Sequence, residues 1–167
     1  GGVGIHQVMM AKWARAKVIA VDVAADKFDA CRKAGADEVV DASTCDAAEA
    51  LLDLTGGRGV DVAIDYVSVT STLEAAAKAL GRRGRLVTLG GAGKTFQASG
   101  FDLLYKEQSL LGSRYVTRTE ILETFDLVAR GEVWPLVSDI RPWTEAEAVH
   151  ARVERGEVIG RAALLIG

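Results

Sequence analysis

Between Lys17 and Ser113 the chain alternates short β-branched runs with segments of helical period, and glycines stand at several of the joints. Lys17–Val23 (KVIAVDV), Glu38–Asp41, Val60–Val67, Arg85–Leu89 and Ser109–Ser113 read as strands. Asp26–Ala34, Ala47–Leu54 and Thr72–Leu80 read as helices between them, the first two closed by Gly35 and by Gly56-Gly57. Strands separated by helices cannot pair as tight hairpins. The joints are therefore crossovers, and the strands run parallel with helices on both faces. A run such as KVIAVDV, apolar at almost every position, is what a strand buried on both sides shows.

A further helical segment precedes this series. Ile5, Val8, Met9 and Trp13 recur at spacings of three and four within Ile5–Ala16 and predict one apolar face. Ahead of it stands Gly1-Gly2-Val3-Gly4, and Asp22 lies 18 residues past Gly4, near the end of the next strand. Glycine turn, helix, strand and acid at these offsets form the pattern of a dinucleotide site. Glycines let a pyrophosphate approach the backbone, and the unpaired N–H groups and positive end of the helix hold its charge. The acid accepts hydrogen bonds from the adenosine ribose hydroxyls, and its charge repels the extra phosphate of NADP. Asp22 therefore points to NAD. The glycines alone carry little weight, since the first Gly of G-x-G-x-x-G is not in the chain; the spacing to Asp22 carries the reading. Other nucleotides, S-adenosylmethionine among them, use the same arrangement.

Four stretches resemble the zinc-type medium-chain alcohol dehydrogenase/reductase family, and the likeness covers the whole chain. They are VDVAADKFDACRKAGADEVVDA, GVDVAIDYVSVTSTLEAAAKALGRRGRLVTLGGAG, KEQSLLGS and GEVIGRAALLI. The resemblance implies an α/β fold: a Rossmann-type doubly wound parallel sheet, its first strand missing ahead of Gly1, with a C-terminal tail belonging to a second domain. Residues 1–113 would be the NAD(P)-binding Rossmann domain, truncated at its N-terminus, and residues 114–167 would complete the GroES-like catalytic domain.

The function so implied is that of the NAD-binding half of an oxidoreductase passing hydride between a small alcohol or carbonyl substrate and NAD. Gly1, Gly2, Val3 and Gly4 would meet the pyrophosphate, and Asp22 with Lys27 would hold the adenosine ribose. Val67 and Ser68 would lie along the adenosine and adjoining ribose, and Leu89, Gly90 and Gly91 would flank the nicotinamide. Backbone groups of Ser109 and Leu111 would face its carboxamide, and Arg161 would reach the pyrophosphate. In the family the amino-terminal half supplies the zinc ligands, so zinc belongs to the full-length enzyme and neither catalytic nor metal-binding residues are expected in this chain. Pairing of the last cofactor-sheet strand with its copy implies a homodimer, or a tetramer, through Ser109–Ser113. Two alternatives stand beside this reading: a zinc-free quinone or enoyl reductase of the same superfamily, and a non-catalytic nucleotide-sensing Rossmann module.

Composition narrows the partners. Lys and Arg number 20 against 23 Asp and Glu, a net charge of -3, and the basic residues are scattered, which speaks against nucleic acid. No apolar run approaches the ~20 residues that cross a bilayer, and the chain opens on glycines rather than on a charged and apolar leader. A cytoplasmic protein that meets no membrane is the expectation. Cys31 and Cys45 have no CxxC partner or nearby His and read as free thiols.

His6 reads as solvent-facing or locally hydrogen-bonded, without a neighbouring carboxylate to make it a base, and His150 as a surface residue. GGAGKTF ends like a triphosphate loop, but its first glycine position is Thr88 and KTFQASG reads as loop rather than helix. Arg82, Arg83 and Arg85 read as a solvated turn before a strand. The tail is looser: a helix at Thr119–Arg130, an edge strand within Pro135–Pro142, a helix at Glu145–Arg155 and a strand at Arg161–Ile166.

Overall fold

The computed structural model describes residues 1–167. In chain order the elements are α1 (Gly4–Trp13), β1 (Ile19–Asp22), a 3-10 turn (Ala25–Lys27), α2 (Phe28–Lys33), β2 (Glu38–Asp41), α3 (Ala47–Leu54), β3 (Val60–Asp65) and α4 (Thr70–Ala79). Then follow β4 (Leu80–Thr88), α5 (Gly100–Tyr105), β5 (Ser109–Gly112), α6 (Arg118–Ala129), β6 (Val137–Pro142), a 3-10 turn (Trp143–Glu145), α7 (Ala146–Glu154) and β7 (Arg161–Leu165). They form two compact units, one of Gly1–Val39 with Val116–Gly167 and one of Val40–Tyr115.

In the first unit, Ile5, Val8 and Met9 of α1 are buried with Ala34, Ala36, Leu127 and Val133. Trp13, expected on the same face, is 46% exposed. On a helix of 3.6 residues per turn it falls roughly 80° round from Ile5, at the edge of the stripe, and it is the last residue of α1. Asp37 ties the end of α1 to the start of β1: its carboxylate accepts from the Val18 N–H at 2.7 Å and from Lys12 Nζ at 2.9 Å. Those donors hold the Asp37 carboxyl below its ordinary range, so this contribution to stability is present at neutral pH and is lost as pH falls through the lowered value. A capping box starts α6, Thr117 and Glu120 each accepting from the other's backbone N–H. β6 and β7 pair in parallel, Val137 opposite Arg161, which fixes Arg161 at the first position of β7.

In the second unit β3, β4 and β5 form a parallel sheet in that order. Leu73 of α4 packs on Leu80 and Leu86 of β4, with Val60, Ala63 and Phe96 around them. Asp46 caps α3 by accepting from the N–H groups of Ala48 and Glu49. β4 begins five residues earlier than Arg85, where the sequence places it. Its register against β3 slips between Val60 opposite Leu80 and Val62 opposite Arg85, so residues 81–84 bulge out and carry Arg82 and Arg83 to Glu107. The short helix α5 has no counterpart in the sequence reading, because Phe101, Leu104 and Tyr105 are all exposed and leave no apolar face to recognise.

Three separate ladders result: β1-β2, β3-β4-β5 and β6-β7. Val21 on β1 and Val62 and Ile64 on β3, on strands whose sequences read as buried on both faces, are 43%, 40% and 36% exposed. The architecture is α/β with parallel, Rossmann-like sheets, and no helix is long and apolar enough to cross a membrane.

Candidate functional site

The first unit holds seven of the residues singled out above. Val3 is the N-cap of α1 and offers no side-chain cap. The N–H groups of Gly2, Val3 and Gly4 find no backbone acceptor, the first bond into the helix being Ile5 N–H to Gly1 O at 3.3 Å. Gly2 is where this loop meets the start of β7. A Cβ there would stand 2.8 Å from Gly160 O and 3.3 Å from Arg161 Nη1. Arg161 is therefore beside the loop, and it takes part in none of the ion pairs of the chain. An uncompensated guanidinium next to unpaired helix-end amides is suited to an anion.

Asp22 ends β1. Its Oδ1 accepts from the N–H groups of Val23 at 2.8 Å and Ala24 at 3.1 Å, which turns the chain and leaves Oδ2 for another donor. Lys27 closes the 3-10 turn that follows, its Nζ 4.0 Å from where a Cβ on Gly156 would stand. Burial raises the Cys31 thiol pKa, the N-terminal ammonium opposes it, Asp22 raises it further, and Arg32 and Lys27 also oppose it.

The second unit holds the other seven. The Asp65 carboxylate, at the end of β3, is buried and accepts from the N–H groups of Val67 at 2.8 Å and Ser68 at 3.2 Å and from Thr72 Oγ1 at 2.9 Å. It thereby holds Ser68 at φ +57° with its Oγ 2.5 Å from Thr88 Oγ1. Leu89 N–H donates to Asp65 O at 2.9 Å, and Gly90 runs so close to this turn that a Cβ on it would stand 2.6 Å from the Val67 carbonyl carbon. Val67, Ser68, Leu89 and Gly90 thus meet at the carboxyl ends of β3 and β4, the edge at which parallel sheets bind ligands. Gly91 lies just beyond, with open space around it.

β5 is next in the sheet, but its two residues divide. Leu111, opposite Val87, is near the same edge, whereas Ser109, opposite Arg85, is at the other end of the strand. An open hollow of about 360 Å³ lined by Glu74, Lys78, Gln97, Ser99 and Gln108 includes none of the predicted residues, and a smaller one of about 230 Å³ lies against Thr88, Phe96 and Leu111. Burial pushes the Tyr66 hydroxyl up to about 12.

Asp65 and the long-range bond of His6 went unrecognised in the sequence. The signal for Asp65 was present, an Asp at a strand end with a Ser three and a Thr seven residues on, the makings of an Asx turn. His6 is locally hydrogen-bonded, its Nδ1 2.8 Å from Gly2 O, and is half-buried rather than solvent-facing; what the sequence did not show is that its Nε2 accepts from the N–H of Leu136, 130 residues away. His150 is exposed, and the residues from Lys94 to Ser99 form loop rather than helix. No group of three or more His, Cys, Asp or Glu side chains is placed to hold a metal ion.

Residues 2–130, more than half of the chain, match the family described as zinc-binding dehydrogenase. The chain belongs to that family. The chain is 30% identical over 166 residues to the NAD-dependent alcohol dehydrogenase of Saccharolobus solfataricus, covering 99% of this chain and 48% of that protein. It is also 30% identical to quinone oxidoreductase 1 of Escherichia coli, covering 99% of this chain and 54% of the relative. Among solved structures, the alcohol dehydrogenase of Aeropyrum pernix superposes on it with a TM-score of 0.91 at 37% identity, over 99% of this chain and 48% of that one. The chain therefore spans about half the length of the relatives it matches.

Proposed function

We propose that this chain is the NAD-binding half of a cytoplasmic oxidoreductase that transfers hydride between a small alcohol or carbonyl compound and NAD. The observation that carries the reading is the glycine loop whose unpaired amides stand beside the unpaired Arg161. When bound, NAD supplies the hydride acceptor. The chain's own residues bind and orient it: Gly1, Gly2, Val3, Gly4 and Arg161 take the pyrophosphate, and Oδ2 of Asp22 with Lys27 takes the adenosine ribose. Val67 and Ser68 lie along the adenosine and adjoining ribose; Leu89, Gly90 and Gly91 flank the nicotinamide, and the backbone of Leu111, with that of Ser109, faces its carboxamide.

Residues 1–113 form the cofactor domain in this proposal and 114–167 complete a GroES-like catalytic domain, whose remaining part, with the zinc ligands, is in the other half of the enzyme. The four residues of β5 are all exposed at the end of their sheet, which supports pairing with a second copy in a homodimer or tetramer. A second reading, a zinc-free quinone reductase, draws support from the equal identity to the Escherichia coli quinone oxidoreductase.

Cofactor choice tests the proposal. The Asp22 carboxylate would face the 2′-phosphate of NADP at short range, so the full-length enzyme is expected to prefer NAD, and Asp22→Gly should narrow the ratio of kcat/KM values by about tenfold or more. An unmutated enzyme that prefers NADP overturns the assignment.

A further inference from the structure

The geometry points to His6 as a positioning residue: in its Nδ1–H tautomer it clasps the glycine loop to the segments that present Arg161, and so sets the pyrophosphate site. This rests on the proposed NAD-binding reading and adds to it a residue that does not touch the cofactor.

Both ring nitrogens of His6 are engaged. Nε2 lies 2.9 Å from the backbone nitrogen of Leu136, and Nδ1 lies 2.8 Å from Gly2 O. A backbone N–H only donates, so Nε2 is the acceptor. The proton is then on Nδ1, where it is donated to the Gly2 carbonyl. Leu136 passes the connection on, its own carbonyl accepting from the Arg161 N–H at 2.8 Å. Arg161 in turn reaches back to Gly2, its Nη1 3.3 Å from where a Cβ there would stand. Gly2, His6, Leu136 and Arg161 close a circuit across three chain segments of one compact unit.

The circuit has a directional consequence. In a trans peptide the C=O and the following N–H point opposite ways. By turning the Gly2 carbonyl toward its ring, His6 turns the Val3 N–H the other way, where that N–H has no acceptor in the chain. The same ring, through Leu136, fixes the backbone at Arg161. One imidazole therefore aligns an amide donor and a guanidinium for the same anion. Gly160 belongs to the same contact: its carbonyl stands 2.8 Å from the Cβ position of Gly2, so the loop and the residue ahead of β7 approach closely at two glycines.

The test uses the full-length protein with His6→Phe, His6→Asn and the unmutated residue, titrated with ADP-ribose and with adenosine. His6→Phe keeps the ring but loses both bonds. Its dissociation constant for ADP-ribose is expected to rise about tenfold while that for adenosine, which lacks the pyrophosphate, changes less than about twofold. His6→Asn, which can still donate to Gly2 O, should recover part of the loss. Nitrogen-15 spectra of the unmutated protein should show Nδ1 protonated and Nε2 not, a reading that holds even where a variant fails to fold. Equal weakening toward both ligands, unchanged ADP-ribose binding, or a proton on Nε2 each overturns the clasp while leaving NAD binding intact. An unmutated protein that binds no ADP-ribose overturns the proposed function itself.

Discussion

Arg161→Ala is expected to raise the dissociation constant for NAD about ten- to a hundredfold, the equivalent of one charge-assisted contact of ~1.5–3 kcal/mol. The size follows from the surroundings: the guanidinium stands beside Gly2 and no carboxylate neutralises it, so its interaction is available to a ligand. Arg161 is exposed, and truncation removes little packing. The thermal transition should therefore stay where it is while affinity falls, which separates a lost contact from a damaged fold. Arg161→Lys keeps the charge but not the planar fork and should fall between the two. Calorimetric titration reads all three, and an unchanged dissociation constant in Arg161→Ala would mean that the side chain does not meet the phosphates.

A second large effect is expected at Gly90, this time on folding and binding together. A Cβ at Gly90 would stand 2.6 Å from both Ser68 Oγ and the Val67 carbonyl carbon, and 2.7 Å from Ser68 N. Backbone atoms held by Asp65 cannot give way cheaply, so Gly90→Ala forces the turn at 66–68 or the loop after β4 to shift, at a cost of roughly 1–3 kcal/mol. Val67, Ser68, Leu89 and Gly90 are all proposed cofactor contacts, and NAD affinity should drop with stability. Gly100→Ala is the matched control, because nothing lies within 4 Å of its Cβ position and it is not among the proposed cofactor contacts. If melting curves and NAD titrations of the two variants coincide, the close approach at Gly90 has no part in the site.

How much of this was legible in the sequence depended on how local its cause is. β2 and α3 lie where the sequence places them, since Asp46 caps the helix and Gly56 and Gly57 follow its end. The start of β4 was misjudged because it is set by the slip in pairing with β3, a contact between residues some twenty apart. The glycine loop, α1, β1 and Asp22 were readable together because their relation is contained in 22 consecutive residues. The bond from His6 to Leu136 was not, because nothing near His6 announces a partner 130 residues away. Asp65 was read as an interior strand residue, whereas the strand ends on it and its carboxylate builds the turn that follows. Arg161 came from family resemblance alone, and the β6-β7 register is what carries it to the loop.

The most direct measurement is calorimetric titration of the full-length protein with NAD and, separately, with NADP. The account predicts one NAD bound per chain, displaced by ADP-ribose, with NADP bound at least about tenfold more weakly because of Asp22. A protein that binds neither nucleotide, or binds NAD without competition from ADP-ribose, would contradict it.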